Sequence, residues 1–252
     1  VDDVILFQTG RDEYLAAVNS GMGHEAARHI LNYIDTCDGS CNVLISDFTD
    51  KIGKIDLQGP YSAHILRDVL DDPDHVFEGM KYFTFKGSFW GDSEQNTHVI
   101  LKNGTPLMLS RTGYTGEFGF EIFIDPEHLV STWKLLMDAG KKYDIRPCGL
   151  AARDSLRVGA VLPLTHQDNG NWRYMKNPWL IALPYDDDKK GFTKDFLGRS
   201  ALEGAPPSSY TYPFVGFDVR KVSSSSPPAV VIDNSGKVTG IVLSCVTDVA
   251  IG

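Results

Sequence analysis

Arg111-Thr-Gly-Tyr-Thr-Gly-Glu117-Phe-Gly-Phe-Glu121-Ile-Phe-Ile124 runs directly into Asp125-Pro126-Glu127. That join of a glycine-punctuated apolar strand to a helix start decides the fold class. Three glycines within ten residues let the backbone take positive φ or approach another group closely. Glu117 and Glu121 supply acceptors beside the strand. By alternation Glu121 shares a face with Gly119 and Phe123, and a hairpin with two solvated carboxylates is the plain alternative reading. An acid before proline then opens a helix to about Ala139, because it satisfies free amides and complements the helix dipole.

Upstream, residues 81–124 alternate apolar and polar side chains through Phe83, Phe85, Phe89, Val99, Leu101, Leu107 and Leu109, which predicts several antiparallel strands. Strands at 3–8 and 13–18 flank the turn at Gly10 to Glu13, and Ala26, Ala27, Ile30, Leu31 and Ile34 mark one face of a helix over 24–34. Strands are expected at Asn42–Ser46 and Lys51–Leu57. Gln58-Gly59-Pro60 then leads into a helix carrying Ala63, Ile65, Leu66, Val69 and Leu70. A further helix spans 150–158. These short ββα and βα units lack the regular alternation of a parallel sheet, so the class is α+β. Prolines 206, 207, 213, 227 and 228 and serines 223–226 mark a boundary near 200, followed by strands at 214–220, 229–232 and 238–243.

The 252 residues are 42% hydrophobic and 23% charged, the balance of a globular chain. With 24 basic and 33 acidic residues the formal charge is −9, which disfavours a polyanionic partner such as nucleic acid. No apolar run approaches the roughly 18–20 residues of a membrane span, and no basic start with an apolar run marks a signal peptide. The expected location is the cytoplasm, and the four cysteines are read as free thiols. The opening at Val1, without methionine, predicts that an N-terminal part is missing.

Ala151-Ala-Arg153-Asp154-Ser-Leu-Arg157 places two arginines at i and i+4. Such a pair reads either as surface charge with a local ion pair or as a guanidinium clamp for a carboxylate. His166-Gln167-Asp168 offers a base or a ligand, yet adjacent residues do not face one site, and no second histidine has ligand spacing, so no metal is expected.

Taken together, Asp2-Asp3-Val-Ile-Leu, Val18-Asn19-Ser20, Leu57-Gln58-Gly59-Pro60, Glu78-Gly-Met-Lys81, the Thr112–Ile122 segment, Cys148-Gly-Leu-Ala-Ala-Arg153-Asp154-Ser-Leu-Arg157 and Phe196-Leu-Gly-Arg199-Ser-Ala-Leu202 resemble the aminomethyltransferase family. This family comprises the T-protein of the glycine cleavage system and its tetrahydrofolate-dependent demethylase relatives. The resemblance implies a cloverleaf of ferredoxin-like α/β units around a folate channel, with two intertwined subdomains over 1–200. A small C-terminal β-barrel domain over 201–252 would be cut short at its end.

It further implies tetrahydrofolate as cofactor and one-carbon transfer as the activity. Glu121 resembles the pterin-holding glutamate, Arg153 the ligand-binding arginine, and Asp3 the catalytic aspartate beside the folate nitrogens. Leu15, Ala17, Asn19 and Tyr114 fall where the family lines the folate pocket. After the arginine helix, Pro163-Leu-Thr-His166-Gln-Asp168 and the aromatics Trp172, Tyr174 and Trp179 depart from the family pattern, and so leave the donor open. A lipoyl-bound aminomethyl group, a methyl sulfonium, an aryl methyl ether and a corrinoid-bound methyl all suit the folate half. A lipoyl carrier protein is the implied partner, with Lys141, Lys142, Arg146, Arg153 and Arg157 as its basic landing patch. A folate-binding relative without transfer activity, and a truncated module acting through protein contacts, are the competing readings.

Overall fold

The computed structural model describes residues 4–36, 42–89, 98–168, 185–186, 191–204, 212–216, 222–224 and 226–247. The chain divides into two compact units, Val1–Gly149 and Leu150–Gly252. The composition change near 200 falls inside the second.

In the first unit, β1 (Ile5–Gln8) and β2 (Tyr14–Ala17) form an antiparallel hairpin pairing Phe7 with Leu15. Its turn is closed by Thr9 and Gly10 amides donating to the Glu13 carbonyl at 3.0 and 3.2 Å. Helix α1 (Gly23–Ile34) follows, with Ile30 and Leu31 of its apolar face 42% and 46% exposed. The strand expected at Asn42–Ser46 does not form: the segment belongs to no ladder, and Leu44 is 91% exposed. Apolar content alone made it look like a strand, but without burial there is nothing for those side chains to pack against.

The core of the unit is a four-stranded antiparallel sheet. Its strands are β3 (Gly53–Gln58), β4 (Phe85–Lys86), β5 (Met108–Ser110) and β6 (Gly119–Ile124), in the order β3-β6-β5-β4. Two helices pack against one face: α2 (Ser62–Val69) and α4 (Pro126–Gly140), the latter capped by Asp125 accepting from the Glu127 amide at 2.9 Å. Between them and the sheet lie Ile55, Leu57, Leu109, Phe120, Ile122 and Ile124 with Ile65, Leu66, Val69 and Leu136, all buried. A short α3 (Pro73–Phe77) extends this layer.

Pleat alternation sends Lys54, Asp56 and Gln58 of β3 and Gly119, Glu121 and Phe123 of β6 to the other face. There the β1–β2 hairpin covers part of the sheet: Phe7 packs edge-on against Phe85 and Phe123, beside Met108, Ile5, Leu15 and Ala17. Both faces of β6 are therefore covered, and all six of its residues are buried.

The second unit opens with α5 (Leu150–Gly159) and the short α6 (Thr165–Asp168). Among its described residues are the pair β7 (Tyr185–Asp186) and β8 (Gly191–Phe192), helix α7 (Arg199–Gly204), and the antiparallel pair β9 (Val230–Ile232) and β10 (Val238–Ile241). Of the strand expected at 214–220, residues 214–216 are in no ladder and the rest lie outside the described residues. The molecule is thus a mixed α/β chain with several antiparallel sheets, and among the described residues no helix is long and apolar enough to cross a membrane.

Candidate functional site

Glu121 is the buried acid of the glycine-rich segment, 5% exposed, whereas Glu117 is exposed. Sheet register explains what surrounds it. Asp56 of β3 lies directly opposite on one side, and Ser110 of β5 on the other. The Thr112 hydroxyl donates a short hydrogen bond to Oε2 of Glu121 and shares a 2.7 Å bond with the Ser110 hydroxyl. Lys54, two residues before Asp56 on the same face, brings Nζ into a short ion pair with Oε1 and lies 3.2 Å from Oδ1 of Asp56.

Burial pulls the Lys54 ammonium down, but Asp56 and Glu121 outweigh it and hold its pKa above the ordinary lysine value. The lysine therefore carries its charge across the physiological range. The cluster thus sets one ammonium between two carboxyl groups. A carboxylate offers about four acceptor positions. Lys54 and Thr112 use two, which leaves one on each oxygen for a ligand with paired N–H donors.

Two of the three glycines, Gly113 and Gly119, make room for a neighbouring side chain. Gln58 at the end of β3 donates from Nε2 to the carbonyls of Thr112 and Phe120 at 3.2 and 3.1 Å. A Cβ at Gly113 or Gly119 would come within 2.2 or 2.1 Å of its Oε1. The Gly59 amide adds a 2.7 Å bond to the Phe118 carbonyl. Next to this clamp Arg111 stacks on Phe118, 3.9 Å from the ring centroid, and donates from Nη1 to the Gly119 carbonyl at 2.9 Å. Burial lowers the pKa of its guanidinium. A cavity of about 250 Å³ opens beside it, lined by Tyr82, Arg111, Gly113, Gly116, Glu117 and Phe118.

Of the residues expected at the site, Leu15 and Ala17 lie in the hairpin that covers the Glu121 face of the sheet. Asn19 is half-buried just beyond β2, its carbonyl accepting from the Met22 amide at 3.0 Å, and Tyr114 is half-buried in the β5–β6 loop. Arg153 is exposed on α5 of the other unit. Asp3, Cys37, Cys41, Trp172, Tyr174 and Trp179 lie outside the described residues. Cys148 and Cys245 are free thiols.

Arg157 is not half of a surface clamp. It is 1% exposed and bonds Asp154 at 2.7 Å, the Leu162 carbonyl at 3.2 Å, Ser244 at 3.0 Å and, by a short bond, Asp168. One turn of helix put it in register with Arg153, but its fork faces inward. Asp168, read as a possible base or ligand, is consumed by the same network: it accepts from Ser244 at 2.6 Å and the Leu164 amide at 2.9 Å. The expected basic patch is also largely neutralised, since Lys141 pairs with Asp138, Lys142 with Asp68 and Arg146 with Asp144. Among the described residues no three His, Cys, Asp or Glu side chains are grouped to hold a metal ion.

Sequence reasoning missed Lys54 and Asp56. The polar alternation of Lys54-Ile-Asp56-Leu-Gln58 was there to read, but only the β3–β6 register shows that it faces Glu121.

Residues 1–173 match the family model described as the GCVT N-terminal domain. The chain is 34% identical over 223 residues to an aminomethyltransferase of Caldanaerobacter subterraneus subsp. tengcongensis, covering 87% of this chain and 52% of the relative. It is 29% identical over 219 residues to an aminomethyltransferase of Clostridium botulinum strain ATCC 19397, covering 87% and 53%. Against an aminomethyltransferase of Bacillus pumilus it is 36% identical over 168 residues, covering 67% and 41%. The chain thus spans about half the length of these curated relatives or less. Carrying the GCVT N-terminal domain over most of its length, the chain belongs to the aminomethyltransferase family.

Proposed function

We propose that the protein transfers a one-carbon unit to tetrahydrofolate, with Glu121 holding the pterin. The observation that carries this reading is the buried Glu121 carboxylate, whose two oxygens each keep an acceptor position after Lys54 and Thr112 have donated. That pair of acceptors fits the amino group and ring N–H of a pterin, which both donate. Leu15 and Ala17 would offer apolar surface beside it, with Asn19 and Tyr114 as polar lining and Arg153 as the partner of a ligand carboxylate.

When bound, tetrahydrofolate supplies the nucleophilic nitrogen that receives the carbon. The contribution of this chain is to bind and orient. Asp3 is proposed to sit beside that nitrogen, where a carboxylate orients an amine and stabilises developing positive charge. The family default donor is an aminomethyl group on a lipoyl carrier protein, and the same proposal includes the cloverleaf and the C-terminal barrel.

Calorimetric titration of the full chain with tetrahydrofolate tests the reading. In Glu121→Gln one charge-assisted pair is lost, so affinity should fall by about 1.5–3 kcal/mol. Unchanged affinity would remove the pterin from Glu121. Asp3→Asn should keep tetrahydrofolate affinity and lower turnover, and a fully active variant would remove Asp3 from the chemistry.

A further inference from the structure

We propose that Lys54 reads the 4-oxo group of the pterin and makes the site selective for 2-amino-4-oxopteridines over their 4-amino counterparts; this rests on the folate reading of Glu121. Lys54 is the most accessible member of the charged cluster, of which Glu121 alone is buried. Its side chain is 41% exposed, against 33% for Asp56 and 6% for Glu121, so a ligand reaching Glu121 meets the ammonium beside it.

An ammonium has three donors. Two are directed to Asp56 and Glu121, which leaves one. Asp56 fixes where that third donor is presented, because it holds Nζ from the side of β3 while Glu121 holds it from β6.

The ligand-facing edge then reads acceptor, acceptor, donor: the two open positions of the Glu121 carboxylate, then Lys54 next to Oε1. Its complement is a planar edge of amino donor, ring N–H donor and carbonyl acceptor, the order found in a 2-amino-4-oxopyrimidine ring. Replacing the carbonyl by an amino group turns that acceptor into a donor facing an ammonium and also removes the adjacent ring N–H. Glu121, the buried member of the set, then loses the ring N–H that would pair with it, and Lys54 faces a donor in place of an acceptor, so such an analogue binds more weakly.

The test is calorimetric titration of the full chain with tetrahydrofolate and with 4-amino-4-deoxytetrahydrofolate, for the unaltered protein, Lys54→Met, Lys54→Arg and Glu121→Gln, each checked for folding by its melting curve. The unaltered chain should prefer the 4-oxo compound by about tenfold or more. Lys54→Met should lose most of that ratio, and Lys54→Arg, which keeps a charged donor, should retain most of it. If Lys54→Met weakens both compounds equally and leaves the ratio unmoved, Lys54 only balances the charge of Glu121 and the proposal falls while the folate reading stands. If the unaltered chain binds neither compound, or Glu121→Gln binds both as well as the unaltered chain does, the folate reading falls and takes the proposal with it.

Discussion

Arg157→Met should destabilise the second unit by about 3–5 kcal/mol, the range for removing one partner of a buried ion pair. The guanidinium is the hub joining α5, the Leu162 turn, α6 and the segment around Ser244. Methionine keeps the volume and removes every donor. Asp168 would then stay buried without the guanidinium that meets it, next to the Leu164 amide and the Ser244 hydroxyl. Arg157→Lys should recover little, because a single ammonium cannot reach four acceptors that the planar fork bridges. The measurement is amide hydrogen exchange. Protection should fall across 150–168 and 242–247 and hold in β3 and β6, which belong to the other unit. Adding Asp168→Leu to Arg157→Met should restore part of the loss, since the stranded charge is then gone. Unaltered exchange in the single variant would mean that the network follows the packing of this unit rather than holding it.

That arginine also shows where sequence stops being informative. Helical spacing correctly placed Arg153 and Arg157 on one side of α5, but it cannot say whether that side meets solvent. The answer depends on Asp168 and Ser244, 11 and 87 residues away in sequence. The hairpin, the α2 and α4 helices and the Asp125 cap were legible because each rests on local chemistry: alternation, a Gly-Pro start, an acid before proline. The Asn42–Ser46 strand failed for the opposite reason, having apolar content but no ladder to join. At the site, Glu121 was visible through its motif. Lys54 and Asp56 were not, since their nearness to it is a fact of register between strands more than 60 residues apart.

Gly119→Ala should cost about 3 kcal/mol of stability in the first unit, at the upper end for overpacking. The new Cβ would lie 2.1 Å from Oε1 of Gln58, 2.4 Å from its Cδ and 2.8 Å from its Cα. The amide of Gln58 could swing aside only by giving up its bonds to the Thr112 and Phe120 carbonyls, and the backbone Cα cannot swing at all. Denaturant unfolding of Gly119→Ala, Gln58→Ala and the double variant separates these contributions. Gln58→Ala alone should lose about 1–2 kcal/mol with its hydrogen bonds. In that background Gly119→Ala should become cheaper by about 1 kcal/mol or more, with a remainder set by the backbone contact. Additive losses would show that the side chain of Gln58 is not what excludes a Cβ there. The clamp matters for chemistry because Gln58 pairs with Gly119 at the end of the β3–β6 ladder. A slip of one residue would turn Glu121 into the apolar layer under α2 and α4, and Phe120 or Ile122 toward Lys54. By tying Gln58 to the Thr112 and Phe120 carbonyls, the glycine-rich segment fixes which face of the sheet receives its carboxylate.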